Sequence, residues 1–314
     1  MKIAILINGS IRKFQQIKDT IDNKFSVYDS QIFVSTYAGH FMGLCHKALD
    51  AGFDYFILVG GDGSLNEGVN GIISYYQQSN DKGIDDYDWD AISRIKVGIY
   101  AAGSGNDFIK SVDLDESIET LKSNIDNKSS KMVDVGWINY YTFKNKQDVS
   151  FFINVTDVGM GGEVVQKKSK MPKWISGKLT YFLAITATIA TYKKCQLKAK
   201  AKDFTWSGKT LNLIVANAKY FGNSLGIAPD AEVDDGMFTV VIVGDVSLYA
   251  YLKNLGNLKK CKKLIHPNIS YHRFKEITVE PTDDRKVTID MDGELLGVAP
   301  MTLKCVHKRI NFIC

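Results

Sequence analysis

The chain has 314 residues, 45% hydrophobic and 24% charged, which excludes a disordered or fibrous polypeptide and is long enough for two domains. The net charge of +4 gives no ground for a nucleic-acid partner, but it hides an asymmetry: residues 1–150 hold 15 Lys/Arg and 20 Asp/Glu, residues 151–314 hold 24 and 15. Five scattered cysteines (Cys45, Cys195, Cys261, Cys305, Cys314) without CxxC spacing exclude a disulfide framework or zinc site and point to a reducing, cytoplasmic compartment.

The opening apolar run Ile3–Ile7 ends at Asn8-Gly9-Ser10, is too short for a signal peptide and reads as a first strand. Tyr55–Val59 and Val97–Tyr100 are further strand runs, each ending in glycines, and Phe41–Ala51 and Leu65–Tyr76 are helical stretches between them. Strand, glycine turn and helix in repetition predict an α/β layer with a mainly parallel sheet, whose ligands bind outside the C-terminal strand ends. The acidic segment Gln77–Asp90 reads as an exposed loop. After about Lys131 the pattern changes to short β-rich runs: Val133–Trp137, Ser150–Val155, Gln196–Ala201, Thr210–Ala216, Met237–Val243, Glu276–Glu280, Val287–Met291 and Met301–Val306. They predict a sandwich or barrel, interrupted by helices at Lys178–Tyr192 and Leu248–Leu258. The apolar stretch Leu179–Tyr192 is shorter than the about 20 residues a membrane span needs.

Four segments carry chemistry. In Gly60-Gly61-Asp62-Gly63-Ser64-Leu65-Asn66-Glu67, glycines after a buried strand let backbone N–H groups approach an anion, as the positive end of a following helix also does. Asp62 can hold Mg²⁺ or accept a proton there; a plain glycine turn with Ser64 as N-cap is the alternative. Gly103-Ser104-Gly105-Asn106-Asp107 follows the next strand and would line the same cleft, although alone it reads as a loop. Asp230, Glu232, Asp234 and Asp235 crowd a Pro/Gly-rich turn, where they are either solvated or shared with a cation. In Asp290-Met291-Asp292-Gly293-Glu294 the three carboxylates share one face if the strand stays extended, which suits a metal or a general base. Asp-Gly is also a strong hairpin-turn signal. Three lysine clusters (167–178, 193–202 and 253–263), the first around Met171, Trp174 and Ile175, suit either an anionic membrane surface or plain solvation. Gly208-Lys209-Thr210 and Gly159-Met160-Gly161-Gly162 lack the spacing of a P-loop or a dinucleotide fingerprint, and the five histidines form no metal motif.

Taken in order, the four segments resemble the diacylglycerol kinase-like lipid kinases, the group with bacterial diacylglycerol, sphingosine and ceramide kinases: GGDGTxNEVxNG, GTGNDFA, PxAxxDDG and DGE stand here as Gly60–Gly71, Gly103–Phe108, Gly222–Gly236 and Asp292–Glu294. The resemblance implies an α/β nucleotide domain over 1–131, rejoined by about 302–314, a β-sandwich lipid domain over 132–301, and an active site in the cleft between them. It implies ATP and Mg²⁺, with Gly60, Gly61, Gly63 and Ser64 on the phosphates, Asn66 and Glu67 bracing that loop, and Asn8, Gly103, Ser104, Gly105, Asn106, Asp107 and Asp292 completing the nucleotide site. It implies Asp234 and Asp235 as ligands of a structural Mg²⁺ and Glu294 as general base, with Asp62 as the rival. The implied partner is a membrane lipid acceptor at the inner, anionic face of the membrane, bound peripherally, with a homodimer allowed and no nucleic acid.

The chain departs from the family pattern at Asn8-Gly9-Ser10-Ile11-Arg12 in place of NPxSG, at Ser64 and Ser104 in place of Thr, at Gly222-Asn223-Ser224 in place of three glycines, and in the acidic insertion 77–90. A soluble NAD kinase-like enzyme shares GGDG but carries its Asn-Glu pair in a separate, later motif. A non-catalytic nucleotide- or lipid-binding module is the alternative from another class.

Overall fold

The computed structural model describes residues 1–103, 105–172 and 177–314, without the side chain of Lys178. Ser104, Lys173, Trp174 and Ile175 lie outside the described residues. The chain divides into two compact units, Met1–Val135 with His307–Cys314, and Gly136–Val306. The breaks fall at 135 and 307; the change of sequence pattern lies near 131, and the family resemblance implied a return near 302.

The first unit runs β1 (Lys2–Asn8), α1 (Phe14–Phe25), β2 (Asp29–Ser35), α2 (His40–Asp50), β3 (Tyr55–Gly60), α3 (Asp62–Tyr75), α4 (Trp89–Arg94), β4 (Lys96–Ala101), α5 (Asp107–Ser111), α6 (Ile118–Asp126) and the start of β5 (Lys131–Tyr141). Its sheet is parallel throughout, with β4, β3, β1 and β2 side by side and the last residues of the C-terminal strand beside β4. Strands covered on both faces need apolar residues at every position, which is why β1 and β3 read as unbroken apolar runs. Ile3, Ile5, Ile7, Ile57 and Val59 pack against Ile21 and Phe25 of α1 and Leu121 of α6. On the other face Gly68 of α3 lets that helix ride directly on Leu58.

Segment 77–90 is not the open loop the composition suggests. Gln78 N–H donates to the Asp86 carbonyl (2.7 Å), Trp89 Nε1 donates to the Ile84 carbonyl (2.7 Å), and Tyr87 and Trp89 are buried. Its acidic residues serve as local braces, Asp86 accepting from Ser79 Oγ (2.6 Å) and Asp88 capping α4 through the Ala91 N–H (2.9 Å).

The second unit continues with the rest of β5, then β6 (Gln147–Phe152), β7 (Val155–Gly159), α7 (Gly161–Ser169), α8 (Gly177–Thr191), β8 (Cys195–Ala201), β9 (Phe204–Thr210), β10 (Asn212–Ala216), β11 (Tyr220–Phe221), β12 (Leu225–Gly226), β13 (Phe238–Val243), α9 (Leu248–Lys259), β14 (Ile269–Phe274), β15 (Glu276–Pro281), β16 (Thr288–Met291) and β17 (Glu294–Phe312). One antiparallel layer is β14-β13-β10-β7-β16-β17; in the other, β9-β8-β15 lies on β17 and β6 pairs with β5, which also pairs with β17. Alternation sends Val158, Leu213, Val240 and Ile242 into the core between the layers, with Leu197, Val279 and Leu303 opposite. It sends Ile214, Val241 and Val243 outward, where α8 and α9 cover them through Ile185, Ile189 and Leu258. The run 150–155 read as one strand is two, β6 and β7, and α7, β9 and β14 have no counterpart among the expected elements.

Candidate active site

The parallel registers of the first unit align Gly60 with Ala101 and Ile7 with Val59, so the loops after β1, β3 and β4 leave the sheet at one edge. Two of them touch through backbone. A Cβ on Gly103 would overlap the Gly61 Cα, so that position requires glycine, and one on Gly61 would lie a tight 3.1 Å from the Gly103 Cα. A Cβ on Gly60 would overlap Ser64 Oγ. Helix α3 begins at Asp62 with Gly61 as N-cap, so Ser64 lies inside the first turn rather than capping it. There Ser64 Oγ accepts a hydrogen bond from Asn8 Nδ2 (3.2 Å), tying the first loop to the second, and Asn8 Oδ1 accepts from Ser10 N–H (2.9 Å). The first N–H groups of this 14-residue helix have no intrahelical acceptor and carry its positive end.

Asp62 Oδ1 accepts the Phe108 N–H at 3.1 Å, which fixes the carboxylate between the second and third loops. Both Asp62 Oδ2 and Asp107 Oδ2 flank Gly105, 3.0 and 3.4 Å from where a Cβ would stand. Asp107 is buried, with Lys110 Nζ at 3.8 Å; that ammonium also donates to the Gly105 carbonyl. Asn106 adopts the left-handed region (φ 53°), donates Nδ2 to Glu116 Oε1 (3.2 Å), and leaves a buried Oδ1 without a partner beside Gly103. Donors at a helix start, two adjacent carboxylates and an orphaned buried acceptor fit a nucleotide with its divalent cation. Glu67 braces a different turn from the one its motif suggests: its Oε1 accepts the Gly39 N–H (2.8 Å) at the start of α2. Asn66 is held along the helix by Asn70 Nδ2 (3.1 Å).

The acidic turn of the second unit does not fit a divalent cation. Asp235 Oδ1 accepts the Met237 N–H (2.9 Å) and Oδ2 pairs with Arg273, while Asp230 pairs with Lys263. Among the described residues no group of three or more His, Cys, Asp or Glu side chains is arranged to hold a metal. The charge crowding is relieved by cationic side chains, which a local reading of residues 230–236 has no means to reveal.

The expected row of Asp290, Asp292 and Glu294 does not form. The chain reverses at Asp292 (φ 50°) and Gly293 (φ 85°), a two-residue hairpin loop that pairs Met291 with Glu294. Asp292 accepts the N–H groups of Val155 (2.7 Å) and Ile153 (3.3 Å), so it pins the hairpin rather than facing a ligand. Glu294 is exposed at the start of β17. Asp290 instead stands opposite Asp157 of β7, a buried residue the sequence reading passed over. The missed signal is a lone carboxylate in the apolar run Val155–Gly159.

The sheet face covered by α8 and α9 contains an apolar cavity of about 60 Å³, lined by Ile185, Ile189, Asn212, Ile214, Tyr251 and Leu258 among others. Tyr251 Oη is buried without a partner, and burial pushes its hydroxyl up to about 12. Outside, the same two helices expose Leu179, Phe182, Leu183, Tyr249 and Leu252, with Ile265 beyond α9. Lys253, Lys259, Lys260 and Lys262 form no ion pair among the described residues, whereas Lys194, Lys200 and Lys263 pair with Asp245, Glu280 and Asp230. No helix among the described residues is long and apolar enough to cross a membrane.

The comparisons with known proteins cover both units. Residues 2–138 match the model of the diacylglycerol kinase catalytic domain, and residues 155–314 match that of the YegS C-terminal NAD kinase beta sandwich-like domain. Curated relatives include a diacylglycerol kinase of Staphylococcus epidermidis, 26% identical over 90% of this chain and 81% of its own length. One of Staphylococcus haemolyticus is 26% identical over 90% and 78%. A crystal structure of a diacylglycerol kinase from Bacillus anthracis str. Sterne covers 99% of this chain and 96% of its own, with a TM-score of 0.69 at 17% identity, a likeness of fold.

Proposed function

From the premise that this chain belongs to the diacylglycerol kinase-like lipid kinase family, we propose that it transfers the γ-phosphoryl group of ATP to a hydroxyl of a membrane lipid such as diacylglycerol. The observation that carries the reading is the junction of Gly61 with Gly103, which sets the α3 N-terminus, Asp62 and Asp107 around one small space at the C-terminal edge of a parallel sheet.

The first N–H groups of α3, with Gly60, Gly61, Gly63 and Ser64, receive the phosphates. Asn8, Gly103, Gly105 and Asn106 border them, and Ser104 belongs to the same loop by sequence. When bound, Mg²⁺ neutralises charge on the transferring phosphoryl group, and Asp62 and Asp107 are the residues placed to hold it. Asp235 takes no part in that step, because Arg273 and the Met237 N–H already engage its carboxylate. The acceptor hydroxyl loses its proton to Glu294 or to Asp62, a contribution of about 10²–10⁴-fold. A glycine cradle for phosphates together with an apolar cavity in the second unit supports an amphiphilic acceptor over a soluble one. The 60 Å³ cavity is smaller than the about 150 Å³ that holds a benzene ring, so α8 and α9 would have to part to admit an acyl chain. The exposed apolar side chains of those helices and the unpaired lysines of 253–262 suit the anionic inner face of a membrane, each well-placed lysine contributing about 1 kcal/mol.

The test incubates the protein with radiolabelled ATP, Mg²⁺ and vesicles containing diacylglycerol, ceramide or a sphingoid base, and follows label into the organic phase. Asp62→Ala is expected to lower turnover by at least about 10²-fold. Full turnover in Asp62→Ala would remove the catalytic assignment, and labelling of a water-soluble acceptor alone would favour the NAD kinase-like alternative.

A further inference from the structure

Asp157 and Asp290 stand directly opposite each other across the antiparallel ladder of β7 and β16, which places their side chains on the same sheet face. The neighbours leave little for two charges. Asp157 is 1% exposed and accepts the side-chain amide of Asn212 from β10 and the Gly161 N–H at the start of α7. Gly161 is there because a Cβ would overlap the Asp157 carboxylate. Asp290 keeps a buried Oδ1 with no hydrogen-bond partner. Like charges directly opposite destabilise a sheet, and an unpartnered buried carboxylate oxygen has given up its hydration for nothing in return. One proton placed between the two carboxyl groups removes both penalties, because it turns a repulsion into a charge-assisted hydrogen bond.

We propose that Asp157 and Asp290 form a positioning pair that shares a single proton, and that this proton holds the β16–β17 hairpin, with Glu294 at its tip, against β7. Its link to phosphoryl transfer rests on the reading of Glu294 above; its link to the hairpin does not. Among the described residues the charged groups that face the pair are Lys168 of α7, which favours the ionised form of Asp290, and Asp292 of the hairpin loop, which opposes it. Asn212 of β10 is neutral and favours ionised Asp157. Burial raises Asp157 to about 7, and burial followed by the charges of Asp157 and Asp292 raises Asp290 well above the usual carboxylate range. The folded protein therefore holds a proton that the unfolded chain releases near pH 4. The stabilisation is complete below that pH, weakens as the pH rises through about 7, and is lost once Asp290, which is also strongly raised, gives up its proton and leaves two opposed carboxylates.

The experiment is thermal unfolding of the full chain from pH 5.5 to 8.5 in chelator, for the wild type, Asp290→Asn and Asp157→Asn. In either variant an amide supplies the hydrogen bond and has no proton to lose. The wild type is expected to lose at least about 3 °C of Tm across that range, and the variants less than half of it. Parallel curves for wild type and both variants overturn the proposal, as does a flat wild-type curve. Restoration of the wild-type Tm at pH 8.5 by Mg²⁺ or Ca²⁺ would make the pair a cation site instead and also overturn it. If one variant does not fold, the other, together with the infrared band of a protonated carboxyl group at pH 6.5, decides. With diacylglycerol vesicles, kcat should fall through pH 7 in the wild type and less in Asp290→Asn. A normal stability profile with no lipid phosphorylation at any pH defeats the kinase reading alone, and phosphorylation with a flat stability profile defeats the pair alone.

Discussion

Gly103 shows how little freedom the site allows its smallest residues. A methyl group there overlaps the Gly61 Cα, which is backbone and cannot swing away, and also crowds Asn106 Oδ1. Gly103→Ala is accordingly expected to part the second and third loops. It should raise KM for ATP at least tenfold and lower stability by about 1–3 kcal/mol, measured by steady-state kinetics and urea unfolding. Gly39→Ala also meets a positive φ (82°) but has nothing within 4 Å, so its cost is confined to backbone strain and KM stays unchanged. Glycine-rich motif and glycine requirement thus coincide at Gly103, where its loop touches Gly61. The motif was legible in the sequence; the contact behind it was not, because the two glycines are 42 positions apart in the chain.

At the scale of elements, the acidic turn before β13 and the strand β14 form one electrostatic unit. Thr239 lies opposite Arg273 in the β13–β14 ladder, which brings Arg273 beside Asp235 three residues into the turn. Arg273→Ala should cost up to about 1 kcal/mol in urea unfolding, whereas chelator should leave the wild-type Tm unmoved. A chelator-induced fall in Tm of the wild type would reinstate a cation at Asp234 and Asp235. Helices α8 and α9 are a second such unit, apolar inward at Ile185, Ile189 and Leu258 and outward at Phe182, Tyr249 and Leu252. Tyr249→Ser with Leu252→Ser should weaken sedimentation with anionic vesicles at least threefold and leave ATP affinity intact. Loss of ATP affinity in that variant would place the surface in the nucleotide site instead. The apolar character of α8 is readable in the sequence; which of its apolar side chains face outward is recognisable only once the inward set is known.

At the scale of the molecule, the reversal of charge between halves follows the division into two units. On the reading proposed above, the parallel unit receives the phosphates through backbone N–H groups and a helix N-terminus, which is compatible with an acidic composition. The sandwich unit holds most of the lysines, some of them spent on Asp230, Asp245 and Glu280. The sequence by itself determined both fold layers, the glycine loops and the family, because strand burial, turn chemistry and motif order are properties of contiguous residues. Three things were decided only by tertiary structure: Asp292 became a brace, Asp235 was claimed by Arg273, and Asp290 met Asp157. Each depends on a strand pairing that joins residues far apart in the chain, and a carboxylate's role is set by the group placed opposite it, which local spacing does not encode.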